Sequence, residues 1–258
     1  MKSIKIILFA TVCLLAISAC GNSTSTSGTA TSTSEAGGGS GKLKSETVVV
    51  TSGGKTDSNI TTFAYDSQNR VIKQISVPTI GGTVSGSDTI TYSYFADSII
   101  QNMSGLWFNS ITYYLNSNGY RTSDNSGNTW TYNSNGFLIS SSSVVSGSHT
   151  FNTSYTYNSS NQLATKTKTE ILFGVTTTIG TDTYSYTDNA INSPAADDSW
   201  QTGKSEGALC STDVNVKAGV TTTVTNTYVT DSQNRLSKAT TVSSAAGSSP
   251  LVIYYAYY

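Results

Sequence analysis

The chain has 258 residues, 14 basic and 15 acidic side chains, and a formal net charge of −1, with no basic cluster. Nucleic acid is therefore excluded as an expected partner, because its binding needs Lys and Arg to neutralise phosphates. One histidine and three cysteines leave no His/Cys metal spacing, so no metal or other cofactor is expected.

The first 19 residues read as a secretory signal. Met1-Lys2-Ser3-Ile4-Lys5 is a short positive region, followed by an apolar run too short to span a bilayer comfortably. Ile17-Ser18-Ala19-Cys20 resembles the bacterial lipobox, which implies that Cys20 becomes a lipidated first residue and so the membrane partner. In that pattern Gly21, which is not aspartate, favours the outer membrane. Several acyl chains, at ~0.8 kcal/mol per buried CH₂, make a lasting anchor. Residues 20–44 then form a Ser/Thr/Gly tether with little to bury, spanning on the order of 27 Å as a flexible coil.

From residue 45 to 258 the chain is expected to form one all-β domain. Ser and Thr make up about a third of the whole sequence, and no segment beyond the signal carries a helical apolar period. A nine-residue phrase recurs at 63–71 (FAYDSQNRV), 113–121 (YYLNSNGYR), 130–138 (WTYNSNGFL), 155–163 (YTYNSSNQL) and 228–236 (YVTDSQNRL). Asp66, Asn116, Asn133, Asn158 and Asp231 suit the first position of a type I turn. Three residues later stand Asn69, Gly119, Gly136, Asn161 and Asn234, residue types that tolerate positive φ. A hairpin with a G1 bulge follows, and Gly119 and Gly136 are expected at positive φ. Two looser copies, at 92–98 and 184–190, bring the hairpins to seven and the strands to roughly twelve to fifteen. The expected fold is a single curled antiparallel meander, with rolling toward a barrel left open.

Candidate functional residues are few. Asp124-Asn125-Ser126-Gly127-Asn128 offers oxygens to a cation but lacks the EF-hand pattern, and a hairpin turn explains it better. His149, the single histidine, opens a strand, and a hydrolase would have to build on it or on the 192–208 loop. That loop holds Asp197, Asp198 and Trp200, a possible ligand platform. Cys210 has no intrachain partner and reads as a buried small hydrophobe. Sixteen tyrosines read as core, with a sugar-stacking surface as the alternative.

Tyr65-Asp66-Ser67-Gln68-Asn69-Arg70-Val71 and Asp231-Ser232-Gln233-Asn234-Arg235-Leu236 resemble the YD (RHS-type) repeat, with looser copies spread over 45–258. That resemblance implies a β-hairpin envelope lipoprotein, similar to small YD-like lipoproteins of Gram-negative bacteria. The function expected first is a non-catalytic surface or periplasmic module contacting glycan or protein. An integral outer-membrane β-barrel is the alternative, supported by the aromatic C-terminus at Tyr258. A hydrolase comes third, and no enzyme activity is expected.

Overall fold

The computed structural model describes residues 42–105, 108–186 and 209–258. The signal peptide, Cys20, the tether up to residue 41 and the Asp197–Asp198–Trp200 stretch lie outside the described residues.

Among the described residues, seventeen β-segments follow one another. They begin with β1 (Leu43–Ser52), β2 (Lys55–Tyr65), β3 (Val71–Ile80), β4 (Thr83–Val84), β5 (Asp88–Tyr94) and β6 (Ser98–Ser104). Next come β7 (Asn109–Leu115), β8 (Arg121–Asp124), β9 (Thr129–Tyr132), β10 (Leu138–Ser146), β11 (His149–Tyr157) and β12 (Leu163–Leu172). The last are β13 (Val175–Tyr186), β14 (Cys210–Lys217), β15 (Val220–Thr230), β16 (Leu236–Ser243) and β17 (Leu251–Tyr257). Every pairing is antiparallel and joins neighbours in chain order, and β17 returns to pair with β1, Val48 opposite Ile253. β4 and β5 both pair with β3 and act as one interrupted stave, so the ring is a closed barrel of sixteen strands.

The expected meander is therefore present and closed. More strands form than the repeat foretold, because many reversals lie at the other end of the barrel and do not use the repeated phrase. The YD-type reading is corrected here: an open meander of YD-type hairpins would leave two free edges, whereas this sheet meets itself after one circuit. Closure satisfies the backbone groups of both outer strands, which an open sheet would leave unpaired.

Each copy of the repeated phrase turns the chain at one end, called proximal here because Leu43 and Tyr257 also lie there. At Asp66 the backbone N–H donates to Arg70 O at 2.9 Å, and Asp66 Oδ1 accepts from the Gln68 and Arg70 N–H groups, both at 2.9 Å. Asn116, Asn133, Asn158 and Asp231 accept from the equivalent pair of N–H groups. The positive-φ residues stand where the sequence predicts them, at 81° for Gly119, 89° for Gly136, 67° for Asn69, 60° for Asn161 and 58° for Asn234. Asp124 builds the same turn at the opposite, distal end, accepting from Ser126 and Asn128 with Gly127 at φ 85°. Its oxygens are thus used as a turn.

A strand places alternate side chains on opposite faces, so closure sends one set inward. Val48, Tyr92, Ile99, Tyr113, Ala239, Ile253 and Tyr255 are buried and share one face by register. Ile253 is 0% and Ile99 1% exposed, which a convex face, where side chains diverge, would not achieve. This is the inner wall. It forms two apolar clusters near the proximal end, one around Leu43, Leu236 and Ile253, the other around Val71, Tyr92 and Tyr113.

Five strand-ending tyrosines, two of them in the repeated phrase, share one task. Tyr65, Tyr94, Tyr157, Tyr186 and Tyr257 donate their hydroxyls to the carbonyls of Leu43, Val71, Leu138, Leu163 and Leu236, at 2.7–2.8 Å. Each bond ties the end of one strand to the start of the preceding one. The ring packs while its polar tip is satisfied, as a buried tyrosine requires. Arg70 and Arg235 lie 4.3 Å from the ring centroids of Tyr94 and Tyr257 and roof the contact.

Candidate functional site

The inner wall changes character around the ring. β16, β17 and β1–β7 carry most of its buried aliphatic and aromatic side chains, with Glu46, Asn59, Gln74 and Gln101 among them, whereas β11–β14 add a run of charged side chains beside Phe151, Tyr155 and Tyr184. On β12 the alternation Lys166, Lys168, Glu170 points all three inward, and on β13 and β14 Asp182, Asp213 and Asn215 share that face. Lys166 Nζ lies 3.5 Å from Asp182 Oδ2, and Asn215 Nδ2 donates to Asp182 Oδ1. Asp213 Oδ1 is buried without a hydrogen-bond partner. Burial, joined by the neighbouring Asp182 charge and opposed by Lys166, pushes the Asp213 carboxyl up to about 6. On β1, Glu46 lies opposite Tyr255, and burial pushes its carboxyl up to about 7.

His149 sits at the distal end of this polar arc. Its Nε2 is 2.7 Å from Glu170 Oε1, and its ring meets Phe151 at a tilt, 4.8 Å between centroids. Lys168 Nζ covers the same Phe151 ring at 4.5 Å. His149 is thus half-buried and hydrogen-bonded to Glu170 across the β11–β12 pair. The contact resembles the base-and-orienter half of a hydrolytic site, and its geometry is equally that of a pair stitching β11 to β12. Cys210 lies at the other end of the barrel, 1% exposed, with its thiol 3.4 Å from Thr212 O. The structure does not bring His149 and Cys210 together. Asp197, Asp198 and Trp200, proposed as a platform, and Cys20 fall outside the described residues.

Sequence reading passed over Lys166, Asp182, Asp213, Asn215 and Glu46. The signal for β12 was present, since Thr-Lys-Thr-Lys-Thr-Glu alternates strictly over residues 165–170 and puts both lysines and the glutamate on one face. That this face is the enclosed one depends on closure.

The outer wall is mostly hydroxyl. Thr47, Ser58, Ser142, Thr167, Thr181 and Thr225 all project outward by register, with Asn102 and Asn152 among them. A depression of about 290 Å³ crosses β9–β12, lined by Thr129, Ser140, Ser142, Asn152, Thr167 and Thr169. A lipid-facing barrel instead carries an apolar outer band about 25 Å tall.

No protein-family model matches the chain, and a search of curated proteins found no relative. Solved structures do match. A porin-like protein from Bacteroides uniformis aligns with a TM-score of 0.61 at 15% identity, covering 84% of this chain and 96% of that one. A porin-like protein from Bacteroides vulgatus aligns with a TM-score of 0.56 at 12% identity, covering 84% of this chain and 98% of that one. These neighbours replace the YD-type resemblance with a porin-like one, and they favour a barrel over an open binding module. The chain is a closed antiparallel β-barrel, similar in fold to porin-like proteins of Bacteroides.

Proposed function

We propose that this chain is a non-catalytic, porin-like β-barrel of the outer membrane, held there by lipid on Cys20 with its outer wall in water. The observation that carries the placement is the composition of the two walls. The best-buried apolar and aromatic side chains point inside, while outside Thr and Ser outnumber apolar side chains such as Ile60, Tyr114, Val216, Val229, Val242 and Tyr254 and interrupt the band that hydrocarbon would select. The hydroxyl-lined depression across β9–β12 is the surface we assign to a glycan or protein ligand, since it offers many donors and acceptors in a fixed array.

The porin-like neighbours support a second reading, an integral outer-membrane barrel. Alkaline carbonate extraction of membranes separates the two. The wild-type protein should stay with the membrane and Cys20→Ala should be released. Retention of the Cys20→Ala protein after carbonate would overturn the tethered reading in favour of the spanning one.

A further inference from the structure

The most exposed apolar side chains are all at one end. Val84, Phe108, Val145, Phe173, Val175 and Val220 are each at least 60% exposed, Phe108 reaching 85% and Phe173 80%. No other large apolar residue among those described is as exposed, and all six sit at or beside the distal chain reversals. They come from five different hairpins around the ring, which makes a crown of separate points. A protein partner usually needs a contiguous packed patch, whereas a bilayer accepts isolated apolar points.

A second observation is the backbone beneath them. Phe173 has φ 50° and Ala218 φ 49°, each followed by a glycine, Gly174 and Gly219, at 82° and 78°. Two-residue hairpin loops of this shape prefer Asn-Gly, and a bulky residue with positive φ is strained. At the proximal end Asn takes every non-glycine place of this kind, at Asn69, Asn161 and Asn234. The distal end thus keeps a fully exposed phenylalanine where asparagine would relax the chain. Charge at this rim is mixed: Lys55 and Lys217 are exposed there, beside Asp57, which accepts the Gly81 N–H, Asp124, which caps its own turn, and Glu170, which faces His149.

From these features we infer that the distal rim docks on the bilayer surface. The apolar tips enter the boundary between headgroups and acyl chains. The inference rests on the tethered reading only in that the tether brings a bilayer within reach. The sheet begins at Leu43, at the proximal end, and the chain length from Cys20 to it sets the reach of the connection. Ten-residue strands such as β1 and β3 stand roughly 33 Å tall at most, and the connection can extend to roughly 75 Å, so the geometry closes.

The test uses the full-length protein on vesicles of phosphatidylethanolamine and phosphatidylglycerol with brominated acyl chains. Tryptophan is introduced at the distal rim by Phe173→Trp or Val220→Trp, and at the proximal end by Phe95→Trp, with wild-type emission subtracted. Roughly twofold quenching at 173 and 220, with none at 95, is the expected result. Quenching at 95 alone, or at both ends, overturns the proposal, the latter in favour of a spanning barrel. Flotation with the vesicles but no quenching at 173 or 220 overturns the rim contact and leaves the tether standing. Failure to float overturns both.

Discussion

The two ends of the barrel solve one problem, reversing an antiparallel strand, with opposite chemistry. At the proximal end Asp or Asn caps its own turn, tyrosine hydroxyls tie neighbouring strands, and apolar side chains are buried against Leu43, Leu236 and Ile253. At the distal end glycine pairs such as Gly53-Gly54 and Gly81-Gly82 make the reversal, and the flanking apolar side chains face solvent. Stability is therefore concentrated at one end, and the other is left with surface that folding does not use. Side-chain patterning, not backbone architecture, separates a structural end from an interactive one.

The sharpest way to break that contrast is a pair of truncations. Ile253→Ala, in the proximal core, should lose about 2–5 kcal/mol, whereas Phe173→Ala, at the distal rim, should stay within about 0.5 kcal/mol of wild type. Urea denaturation followed by tyrosine and tryptophan fluorescence reads both, and equal losses would show that the ends are not energetically distinct.

The proximal interior also holds a titrating group. The Glu46 carboxyl titrates near 7 in the fold, above its ordinary 4.5, so the native state binds the extra proton between those values. Stability should fall as pH rises through that window and level off above it. Glu46→Gln should remove the slope and stabilise the protein at pH 8 by about 1–3 kcal/mol, measured by denaturation across pH. An unchanged slope would place Glu46 in water.

Turn geometry comes next in size. Gly119→Val puts a β-branched side chain at φ 81°, where no neighbouring atom is near enough to clash, so its cost is backbone strain alone. About 1–2 kcal/mol is expected, against little change for Asn118→Ser beside it. The smallest effect concerns the Asp231 carboxylate. The Arg235 backbone N–H, then the Arg235 guanidinium and the Gln233 N–H, hold it below the ordinary carboxylate range. Its contribution is complete above the unfolded-state value and disappears as pH falls through the depressed one. Asp231→Asn keeps the cap and should flatten the acid limb of the stability curve without moving the neutral plateau.

Much of the local structure was legible at the level of single residues. Asp66 and Asn116 announced their turns, Asn69 and Gly119 their left-handed positions, and the aromatic pairs before each turn the buried face. The YD-type reading failed because that signature reports a hairpin and its cap, which an open meander and a closed ring share. The distal hairpins were harder, since Phe173-Gly174 and Ala218-Gly219 do not use the expected turn residues. The candidate site was the least legible part: His149 found Glu170 across a strand pair, 21 residues away. Lys166 and Asp213, on different strands, came to face one enclosed space only through the intervening ladder.

By itself, the amino-acid order determined strands of period two, their reversals at capped turns, and the tyrosines that finish them. These are short-range matters, settled by φ preferences and by alternation within a few residues. Whether the sheet stays open, spirals or closes was decided by β1 meeting β17, a pairing of residues some two hundred positions apart. Alternation alone is the same in a flat sheet and in a ring. Only that last ladder assigns one set of side chains to an enclosed interior and the other to the surroundings, because curvature crowds one face and spreads the other.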